Sequence, residues 1–217
     1  MAICEQCGIT LQTNETGASL RLLGRDGKHL QCRQCLSKTL QVDPAVIDRK
    51  IEQYKKEQEA KSKRRADNSS IVYGELHSIL HELNADRVYI VQPHPLGNES
   101  LLSIYYEVKR KGVEPMKPHI QNLPIADVAK FSSDLVKNLF LYITNIDEQV
   151  SDKYAKSMLS SYGTEAAIVK RLNDNTHDWV GSIFCEFTRP MSVSEEEARE
   201  IMHRSAMNIQ YLLPEYK

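Results

Sequence analysis

Four of the five cysteines in this 217-residue chain fall into two C-x-x-C pairs, Cys4-Glu5-Gln6-Cys7 and Cys32-Arg33-Gln34-Cys35. Such a pair puts two thiolates on one tight turn. Two pairs supply the four soft ligands that Zn²⁺ takes in its structural sites. Four protein ligands leave no open position for water. The chemistry expected of Cys4, Cys7, Cys32 and Cys35 is therefore that of one structural Zn²⁺, and the alternatives are a redox dithiol or an iron–sulfur centre. Four thiolates around Zn²⁺ leave a net charge of about −2, for which Arg33, Lys38 and Arg21 are nearby counter-charges.

Other residues carry weaker signals. His77 and His81 stand at i, i+4, but outside an H-E-x-x-H pattern, and are expected on a solvated helix face. Cys185 lies in the apolar run Ile183-Phe184-Cys185 and fits a small buried hydrophobe. Lys61, Lys63, Arg64 and Arg65 end a basic run that begins at Lys55 and Lys56. As nucleic-acid ligands they would make non-specific, salt-sensitive phosphate contacts. The run is interleaved with Glu52, Glu57 and Glu59, as on an ordinary solvated helix. Residues 1–42 contain no aromatic side chain, so base stacking is not expected there. The chain has no phosphate loop, dinucleotide fingerprint, nucleophile elbow or zinc-deaminase signature, and no enzymatic activity is expected.

Three segments must position these residues. Residues 1–42 form a four-cysteine zinc module. Leu20 to Leu23 and Lys28 to Cys32 flank the turn signal Gly24-Arg25-Asp26-Gly27, which predicts a hairpin and hence a zinc ribbon. If the second pair starts a helix, the module is a treble clef. Residues 43–69 form a charged helical linker, opened by Asp43-Pro44 and frayed at Asp67-Asn68-Ser69-Ser70. Residues 70–217 form the body. Ile71, Val72, Leu76, Ile79, Leu80 and Leu83 recur at helical spacing. Strands follow at 87–92 and 101–108, then a loop-rich stretch with Pro115, Pro118 and Pro124. A helix at 134–140, a strand at 141–146 and a helix at 152–162 come next. Strands at 165–172 and 178–188 precede a last helix capped by Ser194, with Ala198, Ile201, Met202, Ala206, Ile209, Leu212 and Leu213 on its apolar face. The class is α+β: an antiparallel sheet with helices packed on it.

Charge is uneven. Residues 1–42 carry net +2, residues 43–67 net +2 and residues 68–217 net −5. No apolar run is long enough to span a bilayer and no signal-peptide pattern opens the chain. A cytoplasmic protein without a membrane partner is expected, in keeping with paired cysteines reserved for metal.

The body resembles a GAF domain. The resemblance rests on Tyr162-Gly163-Thr164 leading into the strand Glu165 to Lys170, on the strand Trp179-Val180-Gly181-Ser182-Ile183-Phe184-Cys185, and on Arg189-Pro190-Met191 leading into the helix after Ser194. It implies a module that senses a ligand or binds a protein. It also implies a homodimer, because the first and last helices (71–83 and 194–213) commonly form the dimer interface in that family. The wide apolar arc of the last helix agrees with two covers. The chain departs from the family's nucleotide-binding motif, of which Lys130-Phe131-Ser132-Ser133-Asp134 is a loose echo, and no cysteine stands where bilin-binding members attach a chromophore. The expected function is a non-enzymatic regulator or adaptor. Its zinc module docks on nucleic acid or on a protein of a nucleic-acid machine, and its body senses a ligand or dimerises. The alternative is a structural component of a larger assembly, with zinc as a folding staple.

Overall fold

A computed structural model describes residues 2–23, 29–96 and 99–214. The chain forms two compact units, residues 1–63 with 95–100, and residues 64–94 with 101–217.

The first unit contains α1 (Thr13–Leu23), α2 (Arg33–Thr39) and the first part of α3 (Pro44–Glu82). The segment Leu20 to Leu23, expected as a strand, is the last turn of α1, and Gly24 to Gly27 lie outside the described residues. The helix prevails because it places Ala18, Leu22 and Leu23 against Leu36, Leu40, Ile47 and Ile51, closing a small core between three helices. A strand would turn alternate residues away from that core. Asp43 opens α3 as expected: its carboxylate accepts the Ala45 N–H at 2.7 Å.

No fray interrupts α3 at residues 67–70. Asn68 and Ser69 are residues whose side chains usually compete with a helix. Here Asn68 donates to the Arg64 and Leu212 carbonyls, at 3.0 and 3.1 Å, and Ser69 donates to the Ala66 carbonyl at 2.8 Å. Their polar groups are satisfied without breaking the helix.

The second unit is built on a six-stranded sheet. Its strands are β1 (Arg87–Leu96), β2 (Glu99–Lys109), β3 (Leu123–Pro124), β4 (Phe140–Ile143), β5 (Ala166–Asn173) and β6 (Trp179–Phe187), in the order β3-β2-β1-β6-β5-β4. The pairings β2–β3, β1–β6, β5–β6 and β4–β5 are antiparallel, with Val88 opposite Cys185 and Ile168 opposite Cys185 on its other side. Both faces of the sheet are buried, which is why β1, β5 and β6 read as nearly continuous apolar runs. Val88, Ile90, Ile168 and Cys185 face a layer made by the C-terminal half of α3 and by α7 (Glu195–Ile209). Tyr89, Val91, Val169 and Phe184 face a second layer. That layer holds α4 (Ala129–Lys137), α5 (Ile146–Gln149) and α6 (Lys153–Ser161).

Two expectations change here. The helix expected at 134–140 begins at Ala129, and Phe140 already belongs to β4. Its first N–H groups, on Lys130 and Phe131, are accepted by the Asp152 carboxylate at 3.1 and 3.2 Å. A cap from so far along the chain is invisible to local pattern. Nor does the wide arc of α7 call for a second chain. Ala198, Ile201, Met202, Ala206, Ile209 and Leu213 are all buried within this one, against α3 and the sheet. Ile71 falls off the buried stripe and is exposed.

Candidate metal centre

The first cysteine pair sits on a short turn. The Gly8 N–H donates to the Cys4 carbonyl at 2.9 Å and the Cys4 N–H to the Ile9 carbonyl at 2.8 Å, while Ile3 and Thr10 form an antiparallel bridge. Gly8 has φ +72°, a left-handed conformation that glycine adopts without steric cost. The second pair opens a helix. Cys32 is the residue before α2 and Cys35 lies in its first turn, with the Leu36 N–H donating to the Cys32 carbonyl at 2.8 Å. This meets the condition set for a treble clef.

The four sulfurs lie within 4.8 Å of one another. A Zn–S bond of about 2.3 Å places the corners of a tetrahedron about 3.8 Å apart. The Cys7 and Cys32 sulfurs are 3.7 Å apart. The donor set and its spacing fit a single tetrahedral ion. A multi-iron cluster would place its own atoms between the thiolates and spread them wider. Cys4, Cys32 and Cys35 are buried and Cys7 is exposed.

The protons of these thiols show why a cation suits them. Burial opposes ionisation of Cys4, but N–H groups of Cys32, Cys7 and Gln6 directed at its sulfur outweigh it and bring the pKa down to about 6. Burial, together with the neighbouring Cys32, Cys7 and Cys4, pushes Cys35 up to about 12. Four thiolates this close do not ionise together unless a positive charge joins them.

Around the sulfurs lies a polar network that the cysteine pattern did not reveal. Glu5 accepts from Gln31 at 3.0 Å and contacts His29 at 2.8 Å. Gln31 accepts from Thr39 at 2.7 Å, and Thr39 accepts from Gln6 at 3.2 Å. The network joins the residues inside the first C-x-x-C to both flanks of the second. Glu15 adds a further tie, accepting the N–H of Arg33 at 3.1 Å. Two of the counter-charges proposed from sequence are engaged elsewhere, Arg33 with Asp48 at 3.1 Å and Arg21 4.4 Å from the centre of the Tyr54 ring, while Lys38 is exposed.

Among the described residues this is the only group of three or more metal-capable side chains close enough to share an ion. The His77 and His81 rings stack 6.4 Å apart on the exposed face of α3 without a third ligand. Lys61, Lys63, Arg64 and Arg65 do not form one free basic surface. Arg64 donates to the Tyr211 and Leu212 carbonyls at 2.7 and 3.3 Å. Arg65 lies 3.7 Å over the Tyr105 ring, and its carbonyl accepts from Tyr106 at 3.1 Å. These two arginines pack the second unit; Lys63 is exposed and Lys61 half-buried.

In the second unit, the layer over Tyr89 and Phe184 encloses a cavity of about 20 Å³, lined by side chains such as Leu102, Ile120, Phe131 and Leu159. That is about the space of one water, with no polar partner to hold it. Beside this layer Glu186, fully buried, accepts from Arg87 Nε at 3.0 Å and from Thr164 at 2.8 Å, and also from Tyr89 and Arg87 Nη2. Arg87 also donates to the Glu114 carbonyl, pinning the segment after β2 to the sheet. Every charge in this buried group is paired, as burial requires.

No family model and no curated protein matches the chain. Solved structures do match its fold. GAF3 of Slr1393 from Synechocystis superposes with a TM-score of 0.54 at 14% identity, covering 66% of this chain and 92% of that one. The blue-light absorbing form of the Thermosynechococcus elongatus PixJ GAF domain gives 0.55 at 13%, covering 69% and 86%. A phycocyanobilin-bound GAF domain from a cyanobacterial phytochrome gives 0.51 at 16%, covering 72% and 94%. At these identities the likeness is one of fold. The sheet and its two helical layers have the GAF fold, preceded by a four-cysteine cluster whose spacing fits one ion.

Proposed function

We propose that this chain is a non-enzymatic cytoplasmic regulator or adaptor, in which a zinc-stapled module docks on a partner protein and the GAF-fold body provides a second interaction surface. The observation that carries this is the closed four-sulfur cluster. Cys4, Cys7, Cys32 and Cys35 would hold one Zn²⁺, which supplies folding energy to a unit whose own apolar core is small, and which leaves no position for substrate. Reduced, metal-holding thiols suit the cytoplasm.

A protein partner is favoured over nucleic acid. Ile3 and Ile9 are 58% and 57% exposed on either side of the first cysteine pair. Exposed aliphatic side chains around a zinc turn suit a protein surface, and the module has no aromatic side chain for a base. Small-ligand sensing by the body is the second reading, supported by the sensors that share its fold. A ligand between the sheet and the α4–α6 layer would have to open that layer first, since its apolar cavity is small. The body's one cysteine, Cys185, is fully buried against the α3–α7 layer, unlike a chromophore attachment point.

The test is affinity purification of the full chain beside its Cys4→Ser/Cys32→Ser variant. Proteins recovered in stoichiometric amount with the first and lost from the second are the expected result. Identical recovery from both would remove the module's docking role. Fluorescence anisotropy with single- and double-stranded oligonucleotides at low salt separates the nucleic-acid reading, which predicts binding that fades steeply with salt.

A further inference from the structure

Residues 68–217 carry net −5, yet one groove on this acidic body is cationic. It lies between the C-terminal half of α7 and the β4–β5 end of the sheet, and its walls include Leu139, Lys170, Arg171, His203, Met207 and Tyr211. The strand β4 is the last in the sheet, so the groove opens beside a sheet edge. Leu139, Met207 and Tyr211 are 58%, 48% and 48% exposed. Scattered singly they would need no explanation; lining one groove, they form an apolar floor.

Among the described residues, Lys170 and Arg171 of the groove have no acidic side-chain partner. Lys170, opposite Phe140 in the β4–β5 register, is half-buried and makes no hydrogen bond or ion pair among the described residues. Burial, and then the nearby Arg199, hold its pKa below the usual lysine range. Arg199 itself is taken by Glu195 at 2.7 Å and lies 4.4 Å over the Phe140 ring. Arg171 donates to the carbonyls of Val136 and His177. The one acidic side chain of the groove, Asp174, turns onto its own loop, accepting from the Thr176 and Asp178 N–H groups at 2.8 and 2.9 Å. A half-buried ammonium with no acidic side chain beside it offers an incoming carboxylate a complementary charge.

We propose that this groove docks a peptide segment of a partner protein in which an Asp or Glu meets Lys170 and flanking bulky apolar side chains cover Leu139, Met207 and Tyr211. Charge complementarity selects the acid, and the apolar floor selects its neighbours. The proposal rests on the body being an interaction domain and names the surface and the chemistry.

A random peptide library displayed on phage, selected on the full chain, tests it. Enriched peptides should share an acidic residue beside bulky apolar ones. Their affinity, read by fluorescence anisotropy, should fall by about tenfold or more in Lys170→Glu and in Met207→Asp. Peptides with lysine in place of their acid should regain affinity for Lys170→Glu, which a merely unfolded variant could not provide. Undiminished binding to both variants, or no charge-swap rescue, would overturn the groove while leaving an interaction domain that docks elsewhere. Failure to enrich any peptide that binds the full chain would overturn both.

Discussion

The sulfurs of Cys4, Cys7, Cys32 and Cys35 meet because each pair is held by its own backbone turn and the two turns are tied by side chains between them. Replacing Cys32 by serine removes one thiolate and leaves Cys7 facing a hydroxyl 3.7 Å away at best. The account predicts that Cys32→Ser loses bound metal after one passage over a chelating resin, whereas His77→Ala/His81→Ala keeps it in full, both read by elemental analysis. The cysteines were legible from sequence because C-x-x-C spacing is local. Glu5 and Gln6 sat in view inside the first pair, but their partners Gln31 and Thr39 are brought to them only by the fold. The partners of Arg64 and Arg65 were out of view for a related reason. A basic run looks solvated until the carbonyls of Tyr211 and Leu212 and the ring of Tyr105 arrive from distant parts of the chain.

At the scale of elements, one carboxylate joins two helices. Asp152 accepts the N–H groups of Tyr154 and Ala155 at the start of α6, both at 3.1 Å, and those of Lys130 and Phe131 at the start of α4. Burial opposes its ionisation, but the four N–H donors outweigh it and hold its pKa below the usual aspartate value. A depressed folded pKa stabilises the fold above the unfolded value of about 3.9, and this contribution fades as pH falls through the lower folded value. Asp152→Ala should therefore cost about 1–2 kcal/mol at neutral pH, as for loss of a strong helix cap. Its stability should also fall less steeply than the parent's below about pH 4. Urea unfolding at pH 7 and at pH 3 measures both. An equal acid loss in parent and variant would show that Asp152 is not the group responsible. The same residue shows which elements the sequence reveals. The helix α7 and the strands β5 and β6 announce themselves through a Ser194 cap and apolar runs. The start of α4 does not, because its cap comes from Asp152. The strand expected at Leu20 to Leu23 failed because four apolar-rich residues are too short a window to separate period 2 from period 3.6.

At the scale of the whole molecule, a unit holding the four-cysteine cluster and a unit built on the sheet share the helix α3. The second unit buries its own two-layered core on both faces of the sheet. Among its described residues the first buries only four apolar side chains beside the cysteines, Leu11, Ala18, Leu36 and Ile47. Chelation should therefore release amide protection in α1, α2 and α3 up to about residue 63 and leave the sheet and α7 protected. Hydrogen exchange with and without chelator reads this, and simultaneous loss of protection in both units would mean they fold as one. The GAF fold was legible from the order and spacing of the last strands and helix. The cover of the α7 arc was not, since an apolar arc cannot say in sequence whether α3 or a second chain lies on it; here α3 and the sheet do. Light scattering on the full chain at micromolar concentration should give the mass of a monomer.

We infer that the four thiolates hold one structural zinc ion. Elemental analysis of chain purified under reducing conditions without added metal tests it most directly, together with native mass spectrometry to count protons lost on binding. The account predicts about one zinc per chain and none in the Cys4→Ser/Cys32→Ser variant. Less than about a tenth of an equivalent in fresh, reduced protein, or full zinc occupancy in the variant, would contradict it.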